Sequence, residues 1–521
     1  MTELGPQAAP GGQGGQAAPG ALQAADGYEH LGERRLSLPD VVAQSVGFLG
    51  PVFSSAFLIP LVAGIISASG KGGGVASPIS VIIASIGVFA LGWVVSRYAK
   101  RIHAAGSLYD YVAEGLGRRA GVAAGWLYYG GILALVSGLV LLIGGYLQST
   151  IASEFAVTPL PNWAWSLLVV AFLFSVAYFG VRISTRLQLT LALVSLSVLT
   201  AFFIYVIVDL GSANSPKPFE PSSAADGWSG IFFGVLYGVL LFVGFETAAN
   251  LAEETPKPKR HIPVAIMFTV GLSMAFYVLA TYAEIAGFHF SLRTLSAAVT
   301  APLFALGAAK SAGGYGGTWI DRLLELVVLF DMLAVALGCT VSASRGLFAM
   351  ARDRRLPSAL ATVSTRRRTP VGAIYTVIGA CLLFIVLNQF WTGLFSLPKT
   401  PHYFAIFSWN STFGGFALVV VYLLMSAGAL RSLRFDPGPV RLALAAIVGI
   451  VITGGAIWGS FYKVASPTIL APEIALAWLA VGIVIAFATK GRTSAAEALD
   501  ELHEEAGAAV TAGLPPTRVP G

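Results

Sequence analysis

The sequence predicts an all-α integral membrane protein of twelve transmembrane helices, and three observations carry that expectation. Apolar residues fill 56% of the 521 positions and charged residues only 11%, against about 25% charge in an ordinary soluble domain. The mean hydropathy is +0.77, so the surplus apolar surface has to face lipid. The apolar residues also gather in runs of the length a helix needs, ~20 residues at ~1.5 Å each, to cross a ~30 Å hydrocarbon core. The spans must be helices, because backbone polar groups in lipid are satisfied only within the segment. Alternating ten-residue strands of a barrel are not seen. This composition excludes a soluble multidomain enzyme, a disordered scaffold and a nucleic-acid binder with a solvated basic face.

In chain order the first five runs cover residues 41–66, 76–98, 121–151, 163–180 and 187–210. The next five cover 230–252, 263–288, 320–350, 371–390 and 404–430, and the last two 440–461 and 470–488. Their orientation follows from where Lys and Arg fall. One set of connections, from Arg34/Arg35 through Lys257/Lys259/Arg260 to Lys490/Arg492/Arg518, holds 25 of the 32. The alternate set holds 7: Lys71, Lys217, Arg293, Lys310, Arg322, Lys399 and Lys463. Both termini are therefore expected in the cytoplasm and the protein in the cell membrane. The net charge of +6 reports topology and implies no nucleic acid.

Outside the membrane domain (37–489), residues 1–36 are rich in Gly, Ala, Gln and Pro and read as a disordered cytoplasmic tail. Residues 490–521 read as a second tail, with a short helix over 494–509. Cys339 and Cys381 lie inside apolar runs, and the six histidines show no metal-ligand spacing, so no disulfide or metal centre is expected. No catalytic cluster gathers at either interface, and no G-x-x-x-x-G-K-[ST] loop is present for ATP. An enzyme is not expected.

Two spans carry helix breakers at mid-depth. The first contains Gly47, Gly50, Pro51, Ser54 and Ser55; the sixth contains Gly244 beside Glu246. Breaks free backbone groups that lipid cannot satisfy, and a solute at the midplane commonly takes them up. Breaks at positions one and six are what two inverted five-helix repeats produce (here 41–210 and 230–430), leaving 440–488 as two peripheral helices. The glycines at Gly130, Gly131, Gly138, Gly144, Gly145, Gly454, Gly455 and Gly459 read instead as sites of close helix packing.

The stretch Phe242-Val243-Gly244-Phe245-Glu246-Thr247, running on to Glu253-Glu254-Thr255-Pro256, resembles the sixth-helix signature of the amino acid–polyamine–organocation (APC) superfamily. Ala105-Gly106-Ser107-Leu108-Tyr109-Asp110-Tyr111, with Gly125-Trp126, is similar to that family's link between spans two and three. Ser344-Arg345-Gly346, running on to Arg352-Asp353 and Pro357, is similar to the end of its eighth span. The resemblance implies a LeuT-type fold, a 5+5 inverted repeat plus two helices, with alternating access to a central site. Two departures matter. The first-helix break reads Gly50-Pro51-Val52-Phe53-Ser54-Ser55 in place of a Gly-Ser-Gly pattern. Ser195 stands where several members carry a lysine that substitutes for a coupling sodium.

A zwitterion needs N–H or hydroxyl donors at its carboxylate and carbonyls at its ammonium, and the ends of half-helices supply both. Gly47, Gly50, Phe53, Ser54 and Ser55 are the expected carboxylate pole, with Phe242, Gly244, Phe245 and Glu246 opposite. Pro51 has no N–H, which leaves that capture to neighbouring amides and the two serine hydroxyls. An acid at mid-depth costs at least ~2.5 kcal/mol, so Glu246 is the sharpest single residue, as amine ligand, proton carrier or a structural hold on the break. Asp331 is the second coupling candidate. Ser195 and Thr340 are the hydroxyls that could ligate sodium in place of a proton. Glu284, Glu325 and Glu473 are expected to be solvated near helix ends. Tyr128, Tyr129 and Trp409 are gate candidates, and Glu253 and Glu254 could pair with arginines as an inner gate.

The leading expectation is a proton-coupled secondary transporter for amino acids or related amines, with no cofactor beyond the coupling ion. The alternatives are a polyamine or amine importer or exchanger, and a non-transporting sensor with the same fold.

Overall fold

The computed structural model describes residues 36–65, 71–298, 302–364, 366–390, 401–434, 437–462, 464, 466 and 469–489. Leu36 aside, the two tail regions lie outside the described residues. The first span is two helices, α1 (Leu38–Leu49) and α2 (Pro51–Val62), and the second is α3 (Ser77–Ala99). A short α4 (Leu108–Leu116) leads to α5 (Arg118–Phe155), α6 (Asn162–Phe179) and α7 (Val181–Leu210). The sixth span is α8 (Gly227–Leu240) followed by a 3₁₀ segment (Phe245–Leu251), and the seventh is α9 (Pro258–Gly287). After the short α10 (Leu292–Ala297) and α11 (Pro302–Gly307) come α12 (Thr318–Arg352), α13 (Val371–Phe390), α14 (His402–Ser432), α15 (Pro439–Gly459) and α16 (Leu470–Ala488).

Among the described residues, twelve spans are long and apolar enough to cross a membrane. Spans one and six are the interrupted ones, at equivalent places in two consecutive sets of five. An odd number of crossings makes the second set enter from the opposite face, which is the inverted repeat of the LeuT-type fold.

Burial separates the spans that build the site from those that face lipid. The most apolar window of the first span is 89% buried, and those of α12 and α14 are 78% buried. The windows of α6, α15 and α16 are only 28% buried, and they present Leu168, Val451, Val484 and Phe487 outward. α15 packs on α14 and α3, and α16 on α5 and α14. Trp478 fixes the last contact, stacking on Trp126 at 4.5 Å while its Nε1 donates to the Trp126 carbonyl at 3.2 Å.

α1 begins at a capping box: the Ser37 N–H donates to Asp40 Oδ2 at 2.9 Å and the Ser37 hydroxyl to the same oxygen at 2.5 Å. α4 is amphipathic, with Leu108, Tyr109, Tyr111 and Val112 buried against α5 and α14.

Candidate functional site

The break in the first span is one residue wide. Gly50 adopts φ 56°, ending α1 and starting α2, and Pro51 takes the first helical position of α2, where a missing N–H costs nothing. A Cβ on Gly50 would lie 2.1 Å from Val335 Cγ2 of α12, so both backbone conformation and space require glycine. The break in the sixth span is wider. Gly244 sits at φ 110°, and a Cβ there would lie 2.0 Å from the Phe48 ring, so the second break nests directly on α1. Ser45 joins the two: its hydroxyl donates to the Phe245 carbonyl at 2.8 Å and accepts the Ala248 N–H at 3.0 Å. Gly47 falls outside the break. It lies within continuous α1, where it admits the Gln188 side chain of α7, so its role is close packing.

The α2 end of the break carries a protein carboxylate. Asp331 of α12 is fully buried, and its Oδ2 accepts the Phe53 N–H at 2.7 Å, while Oδ1 has no partner among the described residues. The serine hydroxyls are also engaged: Ser54 donates to the Leu49 carbonyl at 3.1 Å and Ser55 to the Pro51 carbonyl at 2.9 Å. The expectation that these donors stand free for a carboxylate is therefore corrected for this conformation. On the opposite pole, the Gly244 carbonyl accepts the Thr247 hydroxyl at 2.7 Å and the Leu241 carbonyl accepts the Tyr277 hydroxyl at 2.8 Å. Phe242 packs edge-on to Tyr277, and Phe245 lies against Tyr422. Phe53 meets Phe57 and Phe407, and Phe404 completes an aromatic layer. The α14 aromatic that meets Phe53 is thus Phe407; Trp409 instead stacks on Phe413.

Glu246 is fully buried in the 3₁₀ segment, with one phenol on each oxygen. Tyr128 of α5 donates to Oε1 at 2.7 Å, and Tyr422 of α14 donates to Oε2 at 2.6 Å. The expected structural alternative, a bond to the freed backbone of helix one, is not what holds it; the acid ties the sixth span to spans three and ten. One turn on, Asn250 donates to the Ala105 carbonyl (3.0 Å) and Tyr129 hydroxyl (3.2 Å) and accepts from Ser342 (3.0 Å). Tyr129 itself donates to the Gly106 carbonyl at 2.8 Å.

The two sodium-candidate hydroxyls do not meet. Ser195 donates to the Val327 carbonyl at 2.8 Å, and Thr340 to its own helix at Ala336, 2.7 Å. Val327 and Thr340 lie thirteen residues apart on α12, about 20 Å at the helical rise. A cation with oxygen ligands at ~2.4 Å cannot bridge that gap.

Toward the end of the bundle rich in Lys and Arg, Glu253 receives a fork from Arg352 (2.9 and 2.8 Å) and the Ala105 N–H (2.9 Å). Glu254 and Arg345 form a second pair at 2.6 Å, both side chains buried. Beside them Tyr109 donates to Asp353 Oδ2 at 2.9 Å. Asp353 lies just past α12, and burial pushes its carboxyl up to about 6, with Arg352 acting the other way. Burial also holds Asp110 well above the carboxylate range, and the charge of Asp353 adds to the effect. A carboxyl raised on folding contributes stability that is full below its unfolded value and is lost as pH rises through the folded one. The paired arrangement at this end is therefore expected to weaken between about pH 4 and 6, by roughly 3 kcal/mol for Asp353. Thermal midpoints of the detergent-purified protein should fall across that window. Asp353→Asn should flatten the fall; an unchanged slope would remove Asp353 as its source.

Several site residues carried no signal in the sequence. Tyr277, Tyr422 and Phe407 are ordinary members of apolar runs until the fold turns them inward; Asn250 stands within the sixth-span stretch that carries the family resemblance but is not singled out there. Asn410 is fully buried, and its amide has no partner among the described residues at either atom. It sits one turn past Phe407 and against Gly138. Glu284 corrects an expectation: it is 1% exposed, with Oε1 unpartnered among the described residues.

Comparison with known proteins agrees with this architecture. The family model described as amino acid permease matches residues 49–462. The chain is 29% identical over 361 residues to an uncharacterized transporter of Mycobacterium tuberculosis, covering 68% of this chain and 73% of that one. It is 26% identical over 377 residues to a branched-chain amino acid permease of Lactococcus lactis, covering 68% and 77%. The crystal structure of a manganese transporter from Eremococcus coleocola superposes with a TM-score of 0.53 at 13% identity, over 88% of this chain and 97% of that one.

Proposed function

The chain belongs to the amino acid permease family, and on that premise we propose that it moves an amino acid or a related organic amine across the cell membrane by alternating access, driven by a proton. The observation that carries this reading is the 2.7 Å bond from the Phe53 N–H to Asp331. The free end of α2 is where a zwitterion's carboxylate finds amide donors, and a protein carboxylate already fills it. Two carboxylates cannot share one buried amide while both are ionised. A proton on Asp331 removes the conflict, so substrate carboxylate and proton enter together. The separation of Ser195 from Thr340 also favours the proton over sodium.

Glu246 and its two phenols tie the moving break to α5 and α14. The Glu253–Arg352 and Glu254–Arg345 pairs close the basic end, which the Lys/Arg distribution assigns to the cytoplasm together with both termini. Opening that end breaks these pairs in one phase of the cycle. The aromatic layer of Phe53, Phe57, Phe404 and Phe407 suits an apolar side chain, as does the likeness to a branched-chain amino acid permease.

Asp331 also favours one second reading, a carboxylate-free amine whose ammonium pairs with it. Uptake into proteoliposomes of leucine and of the amine it leaves on decarboxylation separates the two. Binding without accumulation of either would make the chain a sensor. Uptake is expected to rise with an inward proton gradient and to ignore replacement of sodium by choline. Strict dependence on sodium would overturn the proton assignment.

A further inference from the structure

We propose that the groove between α3 and α9 at the basic end is a binding site for an anionic phospholipid headgroup. A cavity of about 370 Å³ lies there, rimmed by Arg97 and Lys100 from the end of α3 and by Lys259 and Arg260 from the start of α9. The two helices pack side by side and run in opposite directions, so these four cations converge at one level of the bundle. Among the described residues no carboxylate pairs with Lys100, Lys259 or Arg260, whereas Arg345 and Arg352 at the same end are neutralised by Glu254 and Glu253. The cavity wall includes Trp93 and Ser96, whose Nε1 and Oγ are buried without a hydrogen-bond partner among the described residues. Ser96 is 6% exposed, and Arg97 stacks over the Trp93 ring at 5.2 Å.

Lipid, rather than free phosphate, is the occupant for which this groove is shaped. Its remaining wall is apolar, formed by Pro263, Val264 and Met267. Toward the bilayer centre the same two helices present Phe89 and Phe268, 44% and 54% exposed, as a track for acyl chains. Cationic pockets between spans at the cytoplasmic leaflet hold anionic headgroups by this combination of charge and greasy wall. The location gives the lipid a consequence. Lys259 and Arg260 open α9 a few residues after the Glu253 and Glu254 ion pairs, so a headgroup bridging α9 to α3 steadies the segment that closes the basic end.

The test uses the full-length protein purified in detergent. Phosphatidylglycerol should remain bound in native mass spectra and raise the thermal midpoint by about 3 °C or more; phosphatidylcholine and inorganic phosphate should do neither. The combined Lys100→Gln, Lys259→Gln and Arg260→Gln variant should lose both effects. Replacing the exposed Arg366, Arg367 and Arg368 by Gln should leave both intact. Should the triple variant fold poorly, Val264→Trp, which fills the groove without touching a charge, should abolish retention alone. Equal retention of phosphatidylglycerol by the groove variants, or an equal shift with phosphatidylcholine, would overturn the site. An equal shift with inorganic phosphate would reassign it to a free anion and overturn the lipid.

Discussion

Glu246→Gln is expected to slow uptake at least a hundredfold while leaving expression and detergent extraction near wild type. The magnitude follows from the two phenols. Tyr128 and Tyr422 each donate to one oxygen of a buried carboxylate, and a hydrogen bond to a charged group contributes ~1.5–3 kcal/mol. Glutamine offers one acceptor in place of two and carries no charge. Both bonds weaken together and one phenol loses its acceptor. Because the pair of bonds ties the sixth span to α5 and α14 in this conformation, the proposed alternating-access cycle would lose population of this state when the bonds weaken, and would stall. A loss of ~3 kcal/mol corresponds to more than two decades in an equilibrium constant. Tyr128→Phe and Tyr422→Phe each remove one donor and should show smaller defects. Tracer uptake in proteoliposomes, with thermal midpoints measured on the same preparations, checks the series. A Gln variant that transports at the wild-type rate would reduce Glu246 to a packing role.

The twelve spans and the two breaks were legible because both are local. Run length marks a span, and Gly50-Pro51 or Gly244 marks a place where a helix cannot continue. What the breaks hold was not legible, because it depends on rotational phase and on contacts far along the chain. Asp331 reaches Phe53 across 278 positions, and Tyr422 reaches Glu246 across 176. Trp409 and Phe407 are two residues apart, about 200° around a helix, and that rotation decides which aromatic meets Phe53. Gly47 misled for the same reason: three residues from a true break, it serves the Gln188 contact instead. Ser195 and Thr340 both sit in helices that pack together, but a pattern of residue types gives no depth, and depth separates them. The ion pairs of Glu253 and Glu254 were anticipated only as a class; which arginines answer them came from the fold.

Asp331→Asn should uncouple the transporter from the proton gradient. In the wild type the carboxylate keeps the Phe53 amide, and on the proposed mechanism an arriving substrate carboxylate would meet a like charge. At ~5 Å and an effective dielectric near 20 that repulsion is about 3 kcal/mol, enough to make entry wait for protonation. Asparagine keeps an oxygen for the Phe53 N–H and has no charge to neutralise. Leucine uptake by the variant is therefore expected to run downhill without a pH gradient, and its apparent affinity at alkaline pH should improve by about two orders of magnitude, the fold-change that repulsion implies. Concentrative uptake should be lost. Asp331→Ala separates charge from structure: it leaves the buried amide without an acceptor, which costs ~1–3 kcal/mol, so the protein should melt earlier than the Asn variant. The carboxylate-free amine gives the opposite sign, since Asp331 would be its counter-ion; Asn should then weaken its uptake and leave leucine untransported. An Asn variant that accumulates leucine with wild-type dependence on the gradient would clear Asp331 of any part in coupling and return the question to Glu246.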